Sequence, residues 1–61
     1  MSDRYIFDTI DGEVLAIQRT DVDSPFEQFY DCYLGGEEGT YIGEAHGIDE
    51  NDLKESVNFL L

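Results

Sequence analysis

The sequence predicts a small α+β domain, an antiparallel β-sheet of about four strands in two hairpins with one C-terminal α-helix packed on it. Three features carry that expectation. Two runs rich in branched and aromatic residues flank Asp11-Gly12. A glycine-rich stretch, LGGEEGTYIGEA, follows a third such run and contains a fourth. Leu53, Val57, Leu60 and Leu61 recur at i, i+4, i+7 and i+8. The first two are hairpin signals and the last is the spacing of one helical face. At 61 residues the chain is expected to make a single domain, 1–61.

Residues 3–19, DRYIFDTIDGEVLAIQR, read as the first hairpin. A two-residue loop pairs Thr9 with Val14 and Phe7 with Ala16; a three-residue loop pairs Ile10 with Val14 and Phe7 with Ile17. Either register leaves apolar groups on both faces, so one face must meet another element or a partner. The middle segment supports two readings. Ser24, Pro25 and Glu27 have the order of a helix cap, a first-turn proline and a capping box, which would start a helix at 25–34. The run QFYDCYL instead favours a strand. A second hairpin, about 29–34 with 40–45, is the expected arrangement. For the C-terminal helix, Asp49 is the expected N-cap and Ile48 the expected hydrophobic staple onto Leu53. Glu50 and Asp52 then sit in the first turn, facing the positive end of the helix dipole.

Charge is the strongest signal in the chain. Fifteen acids stand against Arg4, Arg19 and Lys54, a formal net charge of −12. A compact domain of this length has an expected radius of gyration near 10.5 Å and a diameter of roughly 27 Å. The charge then amounts to about one per 2.3 Å of diameter, against about one per 1.7 Å along duplex DNA. Such a surface repels nucleic acid and anionic membranes and steers basic proteins towards itself. The apolar stock, including four Phe and four Tyr, separates the chain from disordered acidic tails.

The residue types that carry catalysis or metal binding are sparse. An EF-hand loop starting at Asp49 would place Leu53, Lys54 and Leu60 where acids and glycine are needed, and one starting at Asp21 fails at Pro25 and Phe26. Cys32 and His46 are the only soft ligands, too few for a structural zinc site. They are also the only candidate nucleophile and base. A lone cysteine in an aromatic stretch is ordinarily a packing residue. GGEEG places carboxylates where a phosphate would need donors. No enzyme activity, cofactor or metal is therefore expected. One cysteine gives no disulfide framework, MSDRYIF lacks the pattern of a signal peptide, and no apolar run reaches membrane-spanning length. A cytoplasmic protein is the expectation.

What remains is binding. Glu37, Glu38 and Glu44 on the second hairpin, with Asp49, Glu50, Asp52 and Glu55 around the helix start, are the expected partner-binding carboxylates. Asp8, Asp11, Glu13, Asp21, Asp23 and Asp31 are alternatives. Tyr33 and Tyr41 would add aromatic anchors of the kind enriched at interfaces. In size, charge and lack of a catalytic motif, the whole chain resembles the small acidic inhibitors of phages and mobile elements. These include anti-CRISPR, anti-restriction and DNA-glycosylase inhibitor proteins, several of which mimic DNA. The resemblance implies a stoichiometric inhibitor, foremost of anti-CRISPR type, acting in the host cytoplasm. Its acidic surface would block the DNA- or RNA-binding site of a Cas complex or another nuclease. It implies no direct contact with nucleic acid or membrane, and a monomer or homodimer. The alternative class is an acidic structural adaptor or interaction subunit, with its charge adapted to high salt or its apolar end, VNFLL, covered by a partner.

Overall fold

The computed structural model describes residues 3–61. Four strands, β1 (Arg4–Thr9), β2 (Gly12–Gln18), β3 (Gln28–Leu34) and β4 (Thr40–Gly47), precede one helix, α1 (Glu50–Phe59). The strands form one antiparallel sheet in the order β1-β2-β3-β4, so each pairs with its sequence neighbour. The two expected hairpins and the C-terminal helix are all present, and the 25–34 segment extends into β3 instead of coiling. The helix-start signal is used locally all the same. The Glu27 N–H donates to Ser24 Oγ at 3.2 Å within a bend.

The first hairpin corrects the expected register. Thr9 pairs with Gly12 and Phe7 with Val14, so the two loop residues are Ile10 and Asp11, not Asp11 and Gly12. Neither loop residue has positive φ, which rules out a primed turn; Gly12 takes φ +125° instead. This is the device in which an ordinary turn is followed by a glycine that restores the strand direction. Thr9 closes it. Its Oγ1 donates to the Gly12 carbonyl at 2.6 Å and accepts from the Asp11 N–H at 3.2 Å. The shift is by two residues, so the faces stay as the two-residue reading assigned them.

Alternation then decides which side chains go inside. Phe7, Val14, Ala16, Tyr30, Cys32 and Ala45 lie on one face and are buried beneath α1, which contributes Leu53 and Val57. Asp49 caps the helix as expected, with its side chain accepting from the Asp52 N–H at 2.9 Å. Leu53 is fully buried in the core, and Ile48 stays 59% exposed. The VNFLL end is divided: Val57 is core and Leu60 packs against it, while Phe59 and Leu61 stay exposed.

A bulge separates the two halves of the β3–β4 ladder. Cys32 pairs with Gly43 and Tyr33 with Tyr41, leaving Ile42 as the extra residue of β4. Gly43 takes φ +134°, and a Cβ there would lie 2.9 Å from Leu60 Cδ2. The bulge keeps Ile42 against the core while turning Tyr41 to the opposite face. The domain has a radius of gyration of 10.5 Å and extents of 31 × 21 × 17 Å.

Candidate protein-binding surface

The helix covers one face of the sheet and leaves the other open. Pairing and alternation arrange the open face in rows that run across the strands. One row is Ile6, Leu15, Tyr33 and Tyr41, one residue from each strand. Opposed residues have Cβ atoms about 4.5–5.5 Å apart, so each member touches the next. Leu15, in the middle, is sealed by its neighbours and buried despite lying on the uncovered side. Ile6 at one end is 61% exposed and Tyr41 at the other is 53% exposed. The Tyr33 and Tyr41 rings meet at 5.5 Å between centroids, tilted by 60°.

The row on one side is Arg4, Ile17, Asp31 and Glu44; on the other, towards the first turn, lie Asp8 and Glu13. Both arginines of the chain are engaged by carboxylates here. Arg4 Nη2 donates to Glu37 Oε1 at 3.2 Å. The 35–39 turn therefore leans across the open face. Arg19 forks onto Asp21, with Nε 3.0 Å and Nη2 2.7 Å from its two oxygens, and its Nη1 also reaches Glu44. The Asp21 and Glu44 carboxylates hold the Arg19 guanidinium ever more firmly protonated, and the fork holds the Asp21 carboxyl below its ordinary value. Tyr41 Oη donates to Asp31 Oδ1 at 3.4 Å; partial desolvation and the nearby Asp31 charge push its phenol upward.

The expected site residues divide between two layers. Tyr33, Tyr41 and Glu44 share the open face, and Glu37 reaches across it to Arg4. Glu38 is exposed on the 35–39 turn. Asp49, Glu50, Asp52 and Glu55 belong to the helix layer, at the opposite end of β4 from Glu37 and Glu38. Thus the nine do not make one face. One of them has work of its own, Asp49, whose carboxylate caps α1 by accepting from the Asp52 backbone N–H. Asp52 and Glu55 also line an open groove of about 290 Å³ beside α1, with His46 and Glu27 on its other wall. There His46 Nδ1 lies 3.0 Å from Glu27 Oε2, and the imidazole sits against Phe29 at 5.7 Å.

Among the alternatives, Asp8, Glu13 and Asp31 belong to the open face and Asp21 to its Arg19 corner. Asp11 and Asp23 are exposed in the connections. Sequence reasoning missed Ile6, Leu15, Ile17 and Arg19. A signal existed for the first three, because both registers of the first hairpin left apolar groups on two faces. None existed for Arg19, whose partner Glu44 is 25 residues away.

The Cys32–His46 pair is not assembled. Cys32 is fully buried beneath α1, whereas His46 is exposed at the outer edge of β4, with its ring on Glu27. Burial pushes the Cys32 thiol up to about 11, far from the thiolate a nucleophile needs. Among the described residues no cluster of three or more His, Cys, Asp or Glu side chains is placed to hold a metal ion. No described helix is long and apolar enough to cross a membrane. The chain matches no protein-family model, no curated protein and no solved structure.

Proposed function

We propose that this domain is a non-catalytic, stoichiometric inhibitor that docks on the basic nucleic-acid-binding site of its target. A Cas complex or another nuclease is the target class, as in the small acidic phage inhibitors it resembles. One observation carries the reading: a net charge of −12 on a folded body only 31 Å long, with both arginines tied to its own carboxylates. The surplus carboxylates are left to meet the Arg and Lys side chains that otherwise grip phosphates. Charge of this kind supplies the approach and the exclusion of nucleic acid, while lasting contact needs apolar anchors as well.

A competition assay tests this directly. Purified Cas effector complexes and other basic nucleases, loaded with fluorescent duplex or guide, are titrated with the domain. Release near one-to-one stoichiometry, weakening as salt rises, is the expected result. Failure to release nucleic acid from any of them at hundredfold excess, or release indifferent to salt, would defeat the proposal. Melting at low and at molar salt addresses the acidic-adaptor alternative. A domain that folds only in molar salt would assign the charge to halophilic adaptation.

A further inference from the structure

We propose that the outer edge of β1 is the surface that seats the target, and that its occupant is an extended basic segment of that target, added to the sheet as a fifth strand. This rests on the reading of the domain as a binder of a basic protein, and it names the contact surface and the partner's local conformation.

The hydrogen-bond pattern shows which backbone groups face outward. The Gln18 N–H donates to the Asp3 carbonyl at 2.8 Å, and the register that pairs Arg4 with Ile17 sets Asp3 opposite Gln18. Bonded and non-bonded pairs alternate along an antiparallel ladder. Tyr5, Phe7 and Thr9 therefore bond to β2, while Arg4, Ile6 and Asp8 turn their N–H and C=O groups away from it. Among the described residues, the outward groups of Ile6 and Asp8 meet no hydrogen-bond partner. The other edge of the sheet is partly covered. On β4 the His46 N–H donates to Ser56 Oγ of α1 at 3.0 Å, and the bulge at Gly43 interrupts the ladder. β1 lacks such cover. Its six residues, RYIFDT, include no proline, its register runs without a bulge, and no strand pairs beyond it.

Side chains then set the pattern of the occupant. Asp8 and Glu13 oppose each other as a non-bonded pair, the kind with the closer side chains, and both are exposed. Like charges placed directly opposite are destabilising. Among the described residues no cation lies within ion-pair distance of either. A Lys or Arg opposite Asp8 on an added strand relieves that repulsion. It stands beside Asp8, and Glu13 is two strand spacings away, roughly 10 Å, within the combined reach of the two side chains. Ile6, 61% exposed, is matched by a branched apolar residue two positions on. Arg4 is already held by Glu37, so the residue facing it is uncharged. An antiparallel occupant therefore reads Lys or Arg, then Val or Ile, then Thr, at alternate positions. Lys54 lines the cleft on the helix side of the first turn, with Asp11 and Leu61, which keeps the partner's cation on the open-face side. A second copy of the chain would set Arg4 against Asp8, but that arginine is engaged and each domain brings a charge of −12.

The test uses the full chain, isotope-labelled, and a synthetic strand peptide carrying Lys, Val and Thr at those alternate positions. Three relatives of the peptide serve as controls. One has Glu for Lys, one is N-methylated at the three alternate residues, whose N–H groups face β1, and one is N-methylated at the residues between them. The expected result is amide shift changes centred on β1, with exchange of the Ile6 and Asp8 amides slowed tenfold or more in the complex. The Glu peptide and the first N-methylated peptide should bind at least tenfold more weakly, and the second N-methylated peptide within threefold of the parent. Ile6→Pro removes an outward N–H that the ladder to β2 does not use, and it should weaken the peptide tenfold or more. Asp8→Lys, at an exposed position, should weaken it fivefold or more and favour the Glu peptide, which keeps the test decisive if the proline variant fails to fold. Shift changes centred on β4 or α1, equal effects of the two methylation patterns, or no binding at all would overturn the proposal. So would sedimentation of the free domain as a dimer that Ile6→Pro abolishes. The two proposals fail separately. If the domain releases nucleic acid from a nuclease and both Ile6→Pro and Asp8→Lys leave that unchanged, this edge falls and the inhibitor reading stands. If the peptide adds to β1 but no nuclease is inhibited, the inhibitor reading falls and the edge stands.

Discussion

Gly43→Ala should destabilise the domain, for two separable reasons. The first is conformational, because φ is +134° and L side chains rarely adopt it. Holding a non-glycine residue in such a region costs about 1–3 kcal/mol. The second is steric, because the new Cβ would lie 2.9 Å from Leu60 Cδ2. That atom is the end of a flexible side chain, so it can move, at the cost of an off-rotamer torsion of about 0.5–1.5 kcal/mol. Together they come to about 2–4 kcal/mol, out of roughly 3–9 expected for a chain of this length. Gly36→Ala is the control: φ there is +90°, and an added Cβ meets nothing within 4 Å. Because the two variants share the cost of positive φ, urea unfolding followed by circular dichroism should place Gly43→Ala below Gly36→Ala by the steric share, about 0.5–1.5 kcal/mol. In melting temperature the gap corresponds to about 4–8 °C per kcal/mol. A double-mutant cycle with Leu60→Ala isolates the clash, because the methyl added at position 43 then has room. Equal losses in the two glycine variants, together with no coupling to Leu60, would refute this account of the bulge.

Leu53→Ala should cost about 2–5 kcal/mol, because the side chain is fully buried between α1 and the sheet, and urea titration should find its unfolding midpoint lowered by a large share of the wild-type value. The Cys32 thiol, pushed up to about 11 by burial, should resist Ellman's reagent at pH 8 in the folded protein and react at once in urea; fast labelling of the native state would contradict its placement. Arg19 depresses the Asp21 carboxyl, so their pairing stabilises fully above the unfolded value of about 3.9 and is lost as pH falls through the lower folded value. The stability gap between wild type and Arg19→Gln should therefore be constant near neutrality and narrow below about pH 4, as read by acid-series melts.

The parts of the fold that were legible in the sequence are those set by local chemistry. Leu53 and Val57 announce a helical face, and Asp49 announces its cap by offering a carboxylate to an N–H three residues on. The first turn was legible as a turn but not in register. Its glycine serves after the loop instead of within it, and only the packing of Phe7 against Val14 selects between the two. Ser24 shows how a local signal can be satisfied without its usual consequence. It makes the capping-type hydrogen bond, yet Tyr30 and Cys32 gain more by entering the sheet core than a helix would allow. The candidate surface was half legible. Tyr33, Tyr41 and Glu44 were chosen correctly as neighbours, because the second hairpin brings them together. The acids around Asp49 were grouped with them only because they are close in sequence, and a strand of eight residues followed by a turn into the other layer carries them away.

The layer separation also changes what the charge can do. Carboxylates sit on the open face, on both turns and along the helix start, so the electrostatic field surrounds the domain and does not point out of one side. At physiological ionic strength the screening length is about 8 Å, well under the 31 Å length of the body. A basic partner is thus attracted to whichever side it approaches, and attraction alone cannot choose an orientation. Orientation has to come from apolar side chains acting at contact range. A 61-residue domain has few of these to spare, and folding alone would favour polar residues where Ile6, Ile10, Phe26, Tyr41 and Phe59 stand exposed. These side chains stand on the open sheet face, in the connections and on α1, so a partner that buries any of them offsets the cost at that place.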